Sequence, residues 1–255
     1  MIKKAILLII LLFYIVPTSW AIPKVDEILA AIDKRYEMEN DLTARVKITY
    51  KDAEQGIKVM ESIYYRRDED DSFLIIMIAP DSEKGNGYLR VGDNMWMYRR
   101  NTRTFQHINR DENIGGSDFN TGDAESRKYS ELYEPVKDEK GKEIITEEKI
   151  GNIQVYKIEL KAKVNDVEYP KQIIWVSKEN YLILKLEAYS LSGTLMETGY
   201  YKKYAKISDS YIPGWMMFID EFEEGNKTLV ELSGISLKKI DKSKFTKAYL
   251  ENLSK

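Results

Sequence analysis

The sequence predicts a mainly β protein: a strongly curved antiparallel sheet of about eleven strands, an open or half β-barrel, with a few helices. Three observations predict it. Apolar and polar residues alternate in many short segments, as in "LTARVKITY" (42–50), where Leu42, Ala44, Val46, Ile48 and Tyr50 share one face. Short turns join most of these segments, among them Gly151-Asn152, Lys178-Glu179-Asn180, Ser192-Gly193 and Gly225-Asn226. Parallel strands need long crossovers, so short turns mean antiparallel neighbours. No linker or internal repeat divides the chain, and so many antiparallel strands in one sheet must curl. The helices are too few to surround such a sheet, so they cover one opening or one face.

The amino terminus stands apart from the fold. Lys3 and Lys4 precede the unbroken apolar run Ala5 to Val16, and Pro17-Thr18-Ser19-Trp20-Ala21 closes it. Ser19 and Ala21 are the small residues that a signal peptidase requires. The run is shorter than the roughly 20 apolar residues of a membrane span. Residues 1–21 therefore read as a secretory signal cleaved after Ala21, with an uncleaved anchor as the alternative. Residues 22–255 read as a single domain of 255 − 21 = 234 residues, exported and soluble.

The first mature element is an amphipathic helix at about residues 24–39, with Val25, Ile28, Leu29, Ile32 and Tyr36 on one face. Pro23 suits its entrance and Asn40-Asp41 its end. Strand 42–50 follows, then a turn through Gly56, the partner strand "IKVMESIYYRR" and the apolar "SFLIIMIAP" (72–80). "GYLRVGDNMWMYR" (87–99) is a hairpin turning at Gly92-Asp93-Asn94, and "TFQHIN" extends it. Residues 111–141 break the β pattern. "NIGGSDFNTGD" has loop composition, and "AESRKYSELYE" has helical character, with Tyr129, Leu132 and Tyr133 clustered and Asp123 placed to cap it. Strands are predicted at 143–149, 153–161, 168–177, 181–190, 194–204, 215–223 and 227–238. The tail "DKSKFTKAYLENL" reads as a last helix with Ser243 near its cap and Phe245, Tyr249 and Leu253 facing in.

Composition excludes several chemistries. There is no cysteine and one histidine, His107. Disulfides, a cysteine nucleophile and a two-histidine metal site are excluded, and His107 sits in a strand-like segment with no serine elbow nearby. The mature charge is 37 − 42 = −5, a poor match to nucleic acid, whose affinity rests on cationic contacts to phosphate. "DEDD" (68–71) lacks calcium-loop spacing and reads as a solvated hairpin tip. "GNG" (85–87) is not a phosphate loop. Arg99, Arg100 and Arg103 read as a solvated basic face, with a docking patch as the alternative. No cofactor or metal is implied, and the chain reads as a non-enzyme.

What is unusual is the apolar content. Seven methionines (Met60, Met77, Met95, Met97, Met196, Met216 and Met217) fall in or near strands, and an eighth, Met38, falls in the first helix. Methionine suits walls that accept irregular apolar ligands, and the four tryptophans and eighteen tyrosines add apolar bodies with polar tips. Two readings stay open on this ground: ordinary core, or a lipid-sized cavity.

The segment from "IAP" to "NTGD" (78–123) resembles the LolA-like outer membrane lipoprotein-sorting proteins. The likeness rests on Pro80, Gly85, Tyr88 to Arg90, "NMWMY" (94–98), the "GSDF" of Gly116 to Phe119 and the acid Asp123. "IIWVSKENYLILKLEAYSLSG" and "DKSKFTKAYL" resemble later parts of the same family. The resemblance implies a curved sheet with helices as a lid over a hydrophobic cavity for acyl chains. It implies a periplasmic carrier that takes lipoproteins from an inner-membrane transporter complex to the outer membrane, with or without an acceptor there, and that works as a monomer. Two alternatives stand beside it: a carrier of free lipids or glycolipids working with an inner-membrane exporter, and a sensor of stray lipoproteins. On this reading the cavity is lined by Met60, Ile75, Met77, Leu89, Val91, Trp96, Tyr98, Trp175, Leu184, Leu186 and Met217. Gly115, Gly116, Ser117, Asp118 and Phe119 form a lid or hinge loop. The alternative for Ser117 and Asp118 is a pair bonded to its own backbone.

Overall fold

The computed structural model describes residues 22–110, 112–122 and 127–253. The expected signal segment 1–21 and the expected cap Asp123 lie outside them. The described chain folds around one large antiparallel sheet that does not close into a barrel. Its strands are β1 (Leu42–Asp52), β2 (Gly56–Arg67), β3 (Ser72–Ala79), β4 (Gly87–Val91), β5 (Asn94–Arg99), β6 (Thr104–His107), β7 (Tyr133–Pro135), β8 (Ile145–Ile150), β9 (Ile153–Ala162), β10 (Lys171–Ser177), β11 (Ile183–Tyr189), β12 (Leu195–Ile207), β13 (Ser210–Asp220) and β14 (Lys227–Ser236). The helices are α1 (Val25–Tyr36), α2 (Tyr129–Leu132) and α3 (Lys247–Leu253).

The order across the sheet is β6-β5-β4-β3-β2-β1-β14-β13-β12-β11-β10-β9-β7. β8 pairs with β9 as well, along Ile153–Ile158, while β7 pairs with Leu160–Ala162 farther along the same strand. Most neighbours are hairpin partners. The exception that joins the two halves is β1 against β14, with Ile48 opposite Val230 and Thr49 opposite Leu229.

Directly opposite residues share a face, which traces the inner face across the sheet. Met60, Ile48, Val230, Met216 and Tyr201 form one row. Phe218, Gly199, Leu186, Ile174, Ile158 and Ile145 form another. α1 covers this face over β9–β11: Ile28, Leu29 and Ile32 are fully buried against Ile158, Leu160, Ile174 and Leu186. Its first turn carries Asp26 and Glu27 and its last Lys34 and Arg35, which suits the helix dipole. Tyr36 fixes its end: its hydroxyl lies 2.8 Å from that of Tyr204 and accepts the Ile183 N–H.

The opposite face is covered over β3–β5 by α3. Leu74, Ile76, Leu89 and Tyr98 pack there with Ile240, Phe245 and Leu250. Gly87 makes the close approach possible, because a Cβ there would lie 2.8 Å from Leu250 Cδ1. Lys247 sits 4.1 Å from the Trp96 ring and Arg67 4.9 Å from that of Phe245. Leu250→Ala is expected to lower the unfolding free energy by about 2–5 kcal/mol, the range for a buried leucine. Urea denaturation of the mature chain measures it, and a loss below 1 kcal/mol by order of magnitude would mean that α3 docks through its cations instead.

Five expectations need correction. The described residues form fourteen strands, where about eleven were expected. β13 begins at Ser210, ahead of the expected 215, and runs through Pro213 and Gly214. Pro213 in fact pairs with Tyr204. A Cβ on Gly214 would meet Lys203 O at 2.7 Å, and Lys203 itself has φ 52°. The helix expected after residue 123 is one turn, and Tyr133 leads β7, because β9 has a free edge to offer it. At the carboxyl terminus Thr246, not Ser243, caps α3: its Oγ1 accepts the Tyr249 N–H. Leu253 is half exposed, and Leu250 is the buried anchor.

Candidate functional site

Residues 108–110 and 112–122 cross the inner face of β1–β3, β13 and β14 as a flap. It is a small hairpin, with the Ile114 N–H donating to Phe119 O (2.8 Å) and the Thr121 N–H to Glu112 O (3.0 Å). Its tip turns on Gly115 (φ 63°) and Gly116 (φ 76°), the left-handed region open to glycine. Ile108, Ile114 and Phe119 are buried beneath it, and Phe119 lies 6.0 Å from Phe218.

The tip is pinned from several strands. Tyr88 Oη accepts the Gly115 N–H (3.0 Å), and Lys58 Nζ donates to Gly115 O (2.8 Å). Thr228 Oγ1 accepts the Asp118 N–H (2.9 Å) and donates to the Asp118 carboxylate (2.8 Å). Asn120 Nδ2 donates to Glu168 (2.6 Å). Arg110 and Arg127, either side of the flap, both bind Asp166. Ser117 bonds to its own loop: its hydroxyl donates to Ile114 O and accepts the Phe119 N–H. Asp118 instead bonds across to β14. Gly115 sits on Met60, since a Cβ there would fall 2.2 Å from its sulfur.

Burial pushes the Asp118 carboxyl up from 3.8; the Thr228 hydroxyl opposes this, and Asp220 and Glu223 add to it. A raised carboxylate pKa stabilises the fold below the unfolded value and loses that contribution as pH rises through the folded one. The Asp118 anchor is therefore weaker at neutral pH than in acid. Asp118→Asn is expected to leave the melting temperature at neutral pH unchanged or raised and to flatten its pH dependence above about 3.8. A melting curve that falls at neutral pH in the variant would show that the charged form holds the flap.

Between flap and sheet lies an apolar pocket lined by Leu42, Val46, Ile48, Ser62, Tyr64, Arg66, Ile75, Ile114, Phe119, Ile212, Pro213, Met216 and Leu232. Its free space of about 80 Å³ admits a few waters. The one charged group in the lining is Arg66, bound through Nε and Nη2 to both Asp68 oxygens at 2.6 Å. Asp70 holds Arg67 in the same way, so "DEDD" contributes arginine partners. Among the described residues no group of three His, Cys, Asp or Glu side chains is placed to hold a metal ion.

Of the residues expected in a cavity, Ile75 lines this pocket, and Phe119 of the expected lid loop lines it too. Met60 and Met77 belong to the same apolar cluster. Leu186 shares the face but packs under α1. The expected orientation of the 87–98 hairpin is off by one residue. Leu89 and Trp96 pair opposite each other on the α3 face, with Tyr98, while Tyr88, Met95 and Met97 join the pocket-side cluster. Both faces of β5 are buried, so alternation carries no information there. Val91 is exposed. Met217 faces away, opposite Tyr200 and Leu229, and Met216 takes the lining place. Trp175 lies on the outer face under Lys157 and Lys185, with Nε1 donating to Glu148. Leu184 is half-buried outside these clusters. Sequence reasoning missed the β1 contribution, although the alternation of Leu42, Val46 and Ile48 marks them as one buried face.

A family model described as "-like: Uncharacterized protein" matches residues 69–252. Solved structures share the architecture. A domain described as an outer membrane lipoprotein-sorting protein, from Vibrio parahaemolyticus, is 22% identical over 89% of this chain and 97% of its own, with a TM-score of 0.76. A LolA superfamily protein from Nitrosomonas europaea is 20% identical over 89% and 100%, with a TM-score of 0.73. The chain belongs to the matched family, and its fold is LolA-like. A DUF1329 family protein from Desulfovibrio piger gives a TM-score of 0.75 at 18% identity, over 88% of this chain and 97% of that one. No curated protein matches. The family match takes in the sheet from β3 onward in sequence. No helix among the described residues is long and apolar enough to cross a membrane.

Proposed function

We propose that this LolA-like protein is a non-catalytic periplasmic carrier. Residues 1–21 direct its export, and residues 22–255 form one domain that binds acyl chains between the flap and the inner face of β1–β3, β13 and β14. It takes lipoproteins from an inner-membrane transporter complex and delivers them to the outer membrane as a monomer. The observation that carries this reading is the pocket itself: an apolar concavity roofed by a flap whose tip is held by hydrogen bonds. The lipoprotein-sorting description of a structural neighbour with the same fold supports it.

Each methylene withdrawn from water contributes about 0.8 kcal/mol, so acyl chains need such shelter to cross an aqueous space. The pocket with the flap down holds only a few waters, so loading requires the flap to lift. Polar contacts at its tip suit that step better than apolar packing would, because water replaces them when they break.

The test is native mass spectrometry of the mature protein purified without detergent from its own periplasm, followed by organic extraction. A triacylated peptide supports the lipoprotein carrier, and a bound free lipid or glycolipid favours the exporter-linked alternative. An empty protein that also ignores a fluorescent acyl probe overturns the reading.

A further inference from the structure

We infer that the pocket recognises the neutral carbonyl of an ester-linked acyl chain through the hydroxyl of Ser62. This rests on the carrier reading above and names the ligand chemistry of the same pocket.

Ser62 is 1% exposed and lines the pocket. It stands on the inner face of β2, opposite Val46 and Met77. Its hydroxyl has no hydrogen-bond partner among the described residues, and it is not among the fully enclosed unpaired atoms, so it opens on the pocket. A buried hydroxyl left without a partner is costly, and native structures rarely keep one without a reason. Around it the lining is aliphatic: Val46, Ile48 and Ile75. A few polar groups on a mostly apolar wall are how a site fixes the position of a mostly hydrocarbon ligand, and Ser62 is the uncharged, unpaired one beside these aliphatic residues.

The charge at the pocket decides between an ester and a free acid. Arg66 lies four residues from Ser62 on the same strand face, roughly 13 Å along it. Its charge is already matched by Asp68 through two bonds of 2.6 Å. A free carboxylate would enter without an uncommitted counter-charge and would meet the Asp68 carboxylate. An ester carbonyl needs one donor, and Ser62 supplies it.

The experiment is displacement of a fluorescent acyl probe from the full mature chain by methyl laurate, dodecane and laurate, with wild type and Ser62→Ala. One net hydrogen bond predicts that methyl laurate outbinds dodecane by roughly three- to tenfold in wild type and by little in the variant. Removing an unpaired hydroxyl should leave the melting temperature of the empty variant unchanged or higher, which guards against misfolding. The wild-type comparison stands even if the variant fails to fold. Equal affinity for ester and alkane in wild type overturns the inference while the carrier reading survives. Tighter binding of laurate than of its methyl ester also overturns it, since Arg66 would then be serving an anion. Binding of neither probe nor any competitor defeats the carrier reading itself.

Discussion

Val46→Trp is expected to abolish binding of an acyl probe while the protein still folds. Val46 lies on β1 with Ser62 and Leu232 opposite it on either side, at the floor of the pocket. An indole there occupies space that a ligand needs, and overpacking costs about 1–3 kcal/mol of stability. The informative control is Trp96→Ala. Trp96 is on the α3 face, against Lys247 and His107, so its loss should reduce stability and leave probe affinity within about twofold, as expected of a distant independent site. Probe titration with a parallel melting curve reads both. Full binding by Val46→Trp, or lost binding by a folded Trp96→Ala, would place the ligand on the other face.

Gly115→Ala is expected to dislodge the flap tip. The residue has φ 63°, which costs a side-chain-bearing residue about 1–3 kcal/mol. The added Cβ would also fall 2.2 Å from Met60 Sδ, adding about 1–3 kcal/mol of overpacking unless the methionine swings away. The two costs separate in a double-mutant cycle with Met60→Ala, which removes the clash and leaves the backbone strain. Coupling of about 1 kcal/mol or more is expected between the two sites. Strict additivity of their unfolding free energies would mean that the tip does not rest on Met60. On the carrier reading, Gly115→Ala should also admit the acyl probe faster, because the Tyr88, Lys58 and Thr228 contacts are made only with the tip in place.

Much of this architecture is legible in the residues. The α1 face is marked by Val25, Ile28, Leu29 and Ile32, all of which are buried. The hairpin turns at Gly92, Gly151, Gly193 and Gly225 all have positive φ, and glycine announces that need locally. "GGSDF" reads as a special loop from composition alone. Its anchors do not: Thr228 is 110 residues from Asp118, and Glu168 is 48 from Asn120.

What the sequence determined by itself is therefore everything governed by near neighbours: a β-rich chain, antiparallel hairpins, one amphipathic helix at the front, and a glycine-bearing loop in the middle. What only the tertiary structure decided is which apolar face meets which partner. In β5 both faces are apolar, and the pairing of Ile75 with Tyr88 and of Tyr88 with Met97 sends the methionines toward the flap and the aromatics toward α3. In β1 the alternation marks a buried face but not a pocket. The floor exists because β14 returns to pair with β1, bringing Leu232 opposite Val46. Alternation sets which side chains point the same way, but it is silent on strands far away in sequence. Their register is chosen by the packing of the whole sheet.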